Sequence, residues 1–280
     1  MTVWVTGLLG AAALLFSAGV LATNNTTAPN PGCGADRIDE RVTVERLYDG
    51  DTARLSDGRK VRFIGIDTPE IGHHGAPSQP LASEAHDLLQ TLLEKSGYTL
   101  GLRYDTERHD RYKRDLAHVY LSDGSSVAAH LLEHGLATIL PIPPNVWNLS
   151  CYQAMEQRAR TAQRGVWRLP EYQPAHAAQL QHDDAGIGTG RRPGARTNTR
   201  MIQGKVTAAH LENGDAWLTL DNTVMLHIGQ RDRKYFAGQT PGIFPAGMLG
   251  HTVIARGRLY FTKGVPRMQI RHPSTLQVMQ

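Results

Sequence analysis

The sequence predicts an α+β chain built on two small β-barrels, and three observations carry that prediction. Between residues 41 and 66, three short apolar segments are separated by Asp49-Gly50 and Asp57-Gly58, dipeptides that turn antiparallel strands back on themselves. Apolar stripes of helical period then alternate with two further strand patterns as far as Trp167, so strands and helices are mixed within one unit. After a polar stretch, strand patterns resume at Met201 and continue to Gln280.

In the first unit, residues 41–48 alternate Val42, Val44 and Leu47 with polar side chains and run into Asp49-Gly50 as a strand enters a turn. A second strand spans 52–55. Asp57-Gly58 leads into a third at 60–66, where Val61, Phe63, Gly65 and Ile66 indicate burial on at least one face. Ser78-Gln79-Pro80 opens a helix, with the serine as N-cap, the proline in the first turn and Leu81, Ala85, Leu88, Leu89 and Leu92 at helical spacing. Two more strands, 98–104 and 116–121, flank a charged loop at 105–114. A second helix covers 126–134 and stops at Gly135, and a third covers 151–163 with Tyr152, Met155, Ala159 and Ala162 on one face. Five strands and three helices make an α+β domain with a five-stranded barrel over 41–169.

Ahead of it, residues 3–22 hold no charged side chain and are about long enough to span a bilayer core. They are read as a signal peptide ending near Ala22 or, as the alternative, a retained membrane anchor; either leaves the rest outside the cytoplasm, secreted, periplasmic or anchored. Residues 23–40 form a polar tether. An exported chain meets an oxidising environment, so its two cysteines, Cys33 and Cys151, are expected as a disulfide, with two unrelated thiols as the alternative. A net charge of +4 is compatible with a polyanionic partner without establishing one.

The sharpest chemical signal lies between Tyr48 and Glu70. Asp49 and Asp51 share one turn, and two acids there repel each other unless a cation or an arginine sits between them. Asp67, Thr68 and Glu70 crowd further oxygen donors directly after an apolar strand. Carboxylates and a backbone carbonyl are hard ligands that suit Ca²⁺ or Mg²⁺, and with Arg62 nearby the set has the equipment of a metal-assisted phosphodiesterase. His73-His74 lacks a third ligand at supporting spacing and is read as a polar loop.

The stretches DGDT, VRFIGIDTPE and DRYKRDLAHVY, in this order and spacing, resemble the thermonuclease (staphylococcal nuclease-like) family from about Val42 to Trp167. That resemblance implies an OB-like barrel and one Ca²⁺ held by the carboxylates of Asp51 and Asp67 and the carbonyl of Thr68, with Mg²⁺ as a substitute for binding. It implies Glu70 as general base, Arg62 and Arg114 flanking the scissile phosphate, Asp49 supporting the metal site and Tyr112 against the substrate. Two departures stand out. Lys113 occupies a position where the family often has glycine, and 137–144 lacks the family's nucleotide-packing tyrosines.

Residues 170–200 lose apolar periodicity and read as a flexible linker; 201–280 form the second, smaller barrel, which also resembles the oligonucleotide-binding fold. Trp217, Tyr235, Phe236, Tyr260 and Phe261 with Arg256, Arg258 and Lys263 offer it stacking and charge, although a core role for most of the aromatics is equally open. The expectation is an exported Ca²⁺-dependent nuclease of DNA and RNA, monomeric, with no protein partner implied. The rival is a nucleic-acid-binding protein that kept the nuclease fold and lost turnover.

Overall fold

The computed structural model describes residues 1–2, 33–72, 75–180 and 199–279. The expected signal or anchor at 3–22, most of the tether, and His73-His74 lie outside the described residues. Among those described, no helix is long and apolar enough to cross a membrane.

The first unit contains β1 (Glu40–Leu47), β2 (Thr52–Leu55), β3 (Lys60–Phe63), β4 (Gly65–Asp67), α1 (Ala82–Lys95), β5 (Thr99–His109), β6 (Asp115–Tyr120), α2 (Val127–Glu133), β7 (Thr138–Leu140) and α3 (Leu149–Thr161). Five strands close into a barrel in the order β1-β2-β3-β6-β5. Every pairing is antiparallel except β3 with β6, which run parallel. Val42, Val44, Leu55, Val61, Phe63, Leu100 and Leu102 fill the interior, joined by Leu89 and Leu93 of α1, Leu131 of α2 and Tyr152 of α3 in one apolar core. Alternation along each strand thus faces the barrel interior, and the helical stripes cap it.

Three local expectations change. The segment 60–66 is two strands: Gly65 has φ 88°, and a Cβ there would stand 2.7 Å from Cε2 of Tyr152. Only glycine fits that bend. The chain leaves the barrel there, and β4 pairs with β7, setting Asp67 opposite Thr138. Helix α1 begins at Ala82 after a left-handed Leu81, and the Ser78 hydroxyl accepts from the Gly72 amide at 3.1 Å instead of capping it. Strand β5 runs on to His109, which leaves a turn at 110–114 where a longer loop was expected. Ser126 does cap α2, accepting from the Ala129 amide at 3.3 Å.

Cys33 and Cys151 are bonded, S–S 2.08 Å, fastening the tether to α3. Closing so long a loop is worth at most about 4–5 kcal/mol in the chain-entropy account.

The second unit comprises β8 (Ala175–His176), β9 (Thr199–Glu212), β10 (Asp215–Leu220), β11 (Val224–Ile228), β12 (Thr252–Thr262), β13 (Val265–Gln269) and β14 (Leu276–Val278). Its ladders run β9-β10-β11-β13-β12 and return from β12 to β9, with β11 and β13 parallel. That repeats the circuit and the single parallel pair of the first barrel. Residues 170–180, assigned to the linker by composition, form short 3₁₀ turns and β8, which pairs with β9 and buries Ala177 in the second core. Elements this short show no periodicity. Residues 181–198 lie outside the described residues. Ala159, Val166 and Trp167 pack with Met201 and Ile254 in one buried cluster that joins the two barrels.

Candidate active site

The turn between β1 and β2 places the first two acids. The Asp49 carboxylate accepts from the Asp51 amide at 3.0 Å, which ties the turn to itself. Gly50 between them lies against Thr68 and α1; a Cβ would stand 2.8 Å from Cγ2 of Thr68 and 3.0 Å from Cβ of Ala85. Close approach to the chain after β4 therefore requires glycine.

Asp51 is buried, 3% exposed, and both of its carboxylate oxygens have partners. Oδ2 accepts from the amide and hydroxyl of Thr68 at 3.0 and 3.1 Å and lies 3.0 Å from Nη2 of Arg62. Oδ1 accepts from the Thr52 hydroxyl at 3.1 Å. Arg62 stands opposite Thr52 in the β2–β3 ladder, which aims it at this turn. Its guanidinium donates to the carbonyls of Phe63 and, at 3.0 Å, Ile66, and Nη2 reaches Asp67 Oδ1 at 3.4 Å. A planar fork can meet all four groups where an ammonium could not.

Glu70 is fixed through its backbone. Its amide donates to Gln79 Oε1 at 2.9 Å, and the Gln79 amide returns a bond to the Glu70 carbonyl at 2.9 Å. By sequence, Gln79 is only part of a helix start. Nothing in composition or period marks such a clamp.

Four carboxylates share this corner with one buried guanidinium. Burial and then the neighbouring Asp51 push the Asp49 carboxyl up to about 6. Burial likewise pushes Asp67 up to about 6, with Arg62 opposing it. Glu70 rises to about 7 through burial and the charges of Asp49, Asp51 and Asp67. The corner thus holds more negative charge than Arg62 neutralises. Its donors are all oxygen, which suits a hard divalent cation. Among the described residues no three His, Cys, Asp or Glu side chains converge as a metal cluster, so a backbone carbonyl and water would have to complete any coordination sphere.

Arg114 comes from the turn between β5 and β6. Asp110 organises that turn: its Oδ1 accepts from the amides of Tyr112 and Arg114 at 2.8 and 2.9 Å, and its Oδ2 accepts from Arg114 Nε at 2.7 Å. Lys113 takes the left-handed conformation, φ 62°, so the turn forms without the glycine often found in the family. Tyr112 is exposed, with the Arg114 guanidinium 5.8 Å from its ring centre. Asp110 was visible only as one charge among many; its part depends on backbone amides that a sequence pattern does not display.

Asp49, Asp51, Arg62, Asp67, Glu70, Tyr112 and Arg114 line one cleft of about 750 Å³. Thr68 is the exception among the expected residues, its side chain buried under the cleft against Asp51. Arg258, Gln269 and Arg271 of the second barrel line the same cleft. Gln269 and Arg271 were not singled out from sequence.

Residues 60–169 match the family model described as staphylococcal nuclease homologue. The thermonuclease of Staphylococcus intermedius is 32% identical over 146 residues, covering 51% of this chain and 85% of that protein. The thermonuclease of Staphylococcus hyicus is 30% identical over 145 residues, covering 50% of this chain and 84% of its own. A probable endonuclease lcl3 from the fungus Pyrenophora tritici-repentis is 33% identical over 116 residues, 39% of this chain and 41% of that protein. With the closed barrel and the cleft in place, these similarities assign the chain to the staphylococcal nuclease family of hydrolases.

Proposed function

We propose that the chain is an exported, Ca²⁺-dependent nuclease that cleaves phosphodiester bonds of DNA and RNA, with the second barrel aiding nucleic-acid binding. The observation that carries this reading is the shared cleft: the acids of the first two turns, Arg62 and Arg114 face one space large enough for a nucleotide. Sequence similarity to proteins named thermonuclease and probable endonuclease supports the reaction class. The apolar run at 3–22 supports export.

The carboxylates of Asp51 and Asp67 and the carbonyl of Thr68 would hold one Ca²⁺, for which Mg²⁺ can substitute in binding. Bound there, calcium supplies Lewis-acid polarisation of a phosphoryl oxygen. Asp49 holds the Asp51 backbone in place by accepting a hydrogen bond from the Asp51 amide. Glu70 takes the proton of the attacking water at a carboxylate oxygen, and Arg62 and Arg114 donate hydrogen bonds to the phosphoryl oxygens as charge accumulates there. Tyr112 offers its ring to the substrate beside the phosphate.

Digestion of DNA and RNA with Ca²⁺, Mg²⁺ or chelator, beside Glu70→Ala and Arg62→Ala, tests the proposal. The wild type should cut with Ca²⁺ and stop with chelator, and each variant should lose roughly 10²- to 10³-fold in rate. Equal, low activity in all three proteins under every metal sinks it.

A further inference from the structure

We infer that a single polynucleotide strand leaving the catalytic cleft is bound by the second barrel, through Arg258 and Arg271 to its phosphates and through Tyr235 and His227 to its bases. The inference rests on the nuclease reading and names the surface that extends it.

Two cavities form a continuous groove. The catalytic cleft shares Glu107, Gln269 and Arg271 with a second cavity of about 850 Å³ lined by both barrels. Pro143 and Pro144 contribute one wall from the first barrel, and His227, Arg231, Lys234 and Tyr235 contribute the other from the second. A strand longer than the catalytic cleft can hold therefore has a walled path onward.

Two arginines along that path have donors to spare for phosphate. Arg258 is exposed, and its side chain has no hydrogen-bond or ion-pair partner among the described residues. Arg271 is 41% exposed and uses Nε on Asp232 at 3.3 Å, which leaves the rest of its fork facing the groove. Asp232 is matched by Arg271, and Asp215 lies 2.7 Å from the His227 ring. In the second cavity Arg231 and Lys234 stand beside Glu107 and Asp215.

The rings favour unpaired bases. His227 stacks on Trp217 with ring centres 4.4 Å apart, and the Arg267 guanidinium lies 5.1 Å from the Trp217 ring. His227 is thus a supported platform, and Tyr235, half-buried against the second core with Lys234 Nζ 5.1 Å from its ring centre, lines the same cavity. A duplex keeps its base faces stacked internally and cannot use them; a single strand can.

Anisotropy of a fluorescent strand of about 16 nucleotides on the Glu70→Gln background, over a range of salt, reads the surface without cleavage. Arg258→Gln and Arg271→Gln should each flatten the slope of log K against log salt by about 0.7, and together by about 1.4. Tyr235→Ala should weaken the single strand about tenfold and leave a duplex of equal length unaffected. A double variant with the parental slope, or a duplex bound as tightly as the single strand, overturns the inference. Arg258 gives up no internal contact, so Arg258→Gln alone decides the phosphate contact should the Arg271 variant not fold. Hydrolysis of single-stranded DNA by the wild type keeps the two claims apart: cleavage with unchanged slopes removes this inference only, and no cleavage with reduced slopes removes the nuclease reading only.

Discussion

Glu156 and Arg256 stand 100 residues apart in sequence and meet at 2.6 Å between the two barrels, both buried. The same Glu156 oxygen accepts from the Ile139 amide at 2.8 Å. Ile139 lies in β7, the partner of the strand that carries Asp67, so the pair braces the acid corner from the second barrel. Removing one partner of a buried pair leaves an uncompensated charge, which typically costs about 3–5 kcal/mol. Arg256→Ala should therefore lower stability by that amount in urea unfolding. Adding Glu156→Gln, which keeps an acceptor for Ile139 without the charge, should restore part of it. A single variant as stable as wild type would falsify the brace.

Calcium should stabilise the folded chain. The crowded acids repel one another in its absence, and a cation bound only to the native state adds about 2.7 kcal/mol at a hundredfold excess over its Kd. Thermal unfolding should rise with added Ca²⁺ and fall back with chelator. Asp67→Asn should have two opposed effects: a more stable protein without metal, because one buried charge is relieved, and no calcium shift. If Asp67→Asn still shifts with calcium as the wild type does, Asp67 is not a ligand.

Asp105, which does not line the cleft, should make stability acid-sensitive. Burial alone would raise its carboxyl, but His118 beside it and the amides of Trp147 at 3.0 Å and Thr106 at 2.9 Å outweigh burial and hold it at about 2, below the ordinary 3.8. A depressed acid contributes stability that is fully present above pH about 4 and lost as pH falls through about 2. The size is about 2 kcal/mol. Denaturant midpoints for the wild type should drop over that window, and Asp105→Asn should start lower and drop less. Parallel curves for the two proteins would dismiss the assignment.

The barrel was legible because its signals are local. Asp-Gly turns, alternation in 41–48 and the stripe through Leu89 each need only a few neighbouring residues. The acid corner was legible because like charges in adjacent turns demand a reason. Gln79 and Asp110 were not, since each acts on backbone amides whose positions exist only after folding. The bend at Gly65 is set by Tyr152, some ninety residues on in the chain, and no local pattern reports that contact. Arg258 and Arg271 meet the catalytic cleft only because the second barrel docks on the first. Composition gave residues 170–180 to a linker because Ala177 packs by contact with β9, not by any repeat of its own.

Lys113 offers a test of how the Arg114 turn is held. With φ 62° it takes a conformation that costs a side-chain-bearing residue about 1–2 kcal/mol over glycine. The turn holds it through the Lys113 amide on the Asp110 carbonyl at 3.0 Å and the Asp110 carboxylate on the amides either side. Glycine would relieve the strain but lose about 0.5–1 kcal/mol by enlarging the freedom of the unfolded chain. Lys113→Gly should therefore gain a few tenths to about 1 kcal/mol, seen as a small rise in Tm by calorimetry. Asp110→Ala should act oppositely, lowering Tm and, because Arg114 loses its anchor at Nε, lowering kcat more than it raises KM. If Lys113→Gly instead destabilises the protein, the lysine makes a contribution to the turn beyond its backbone, and the strain argument fails.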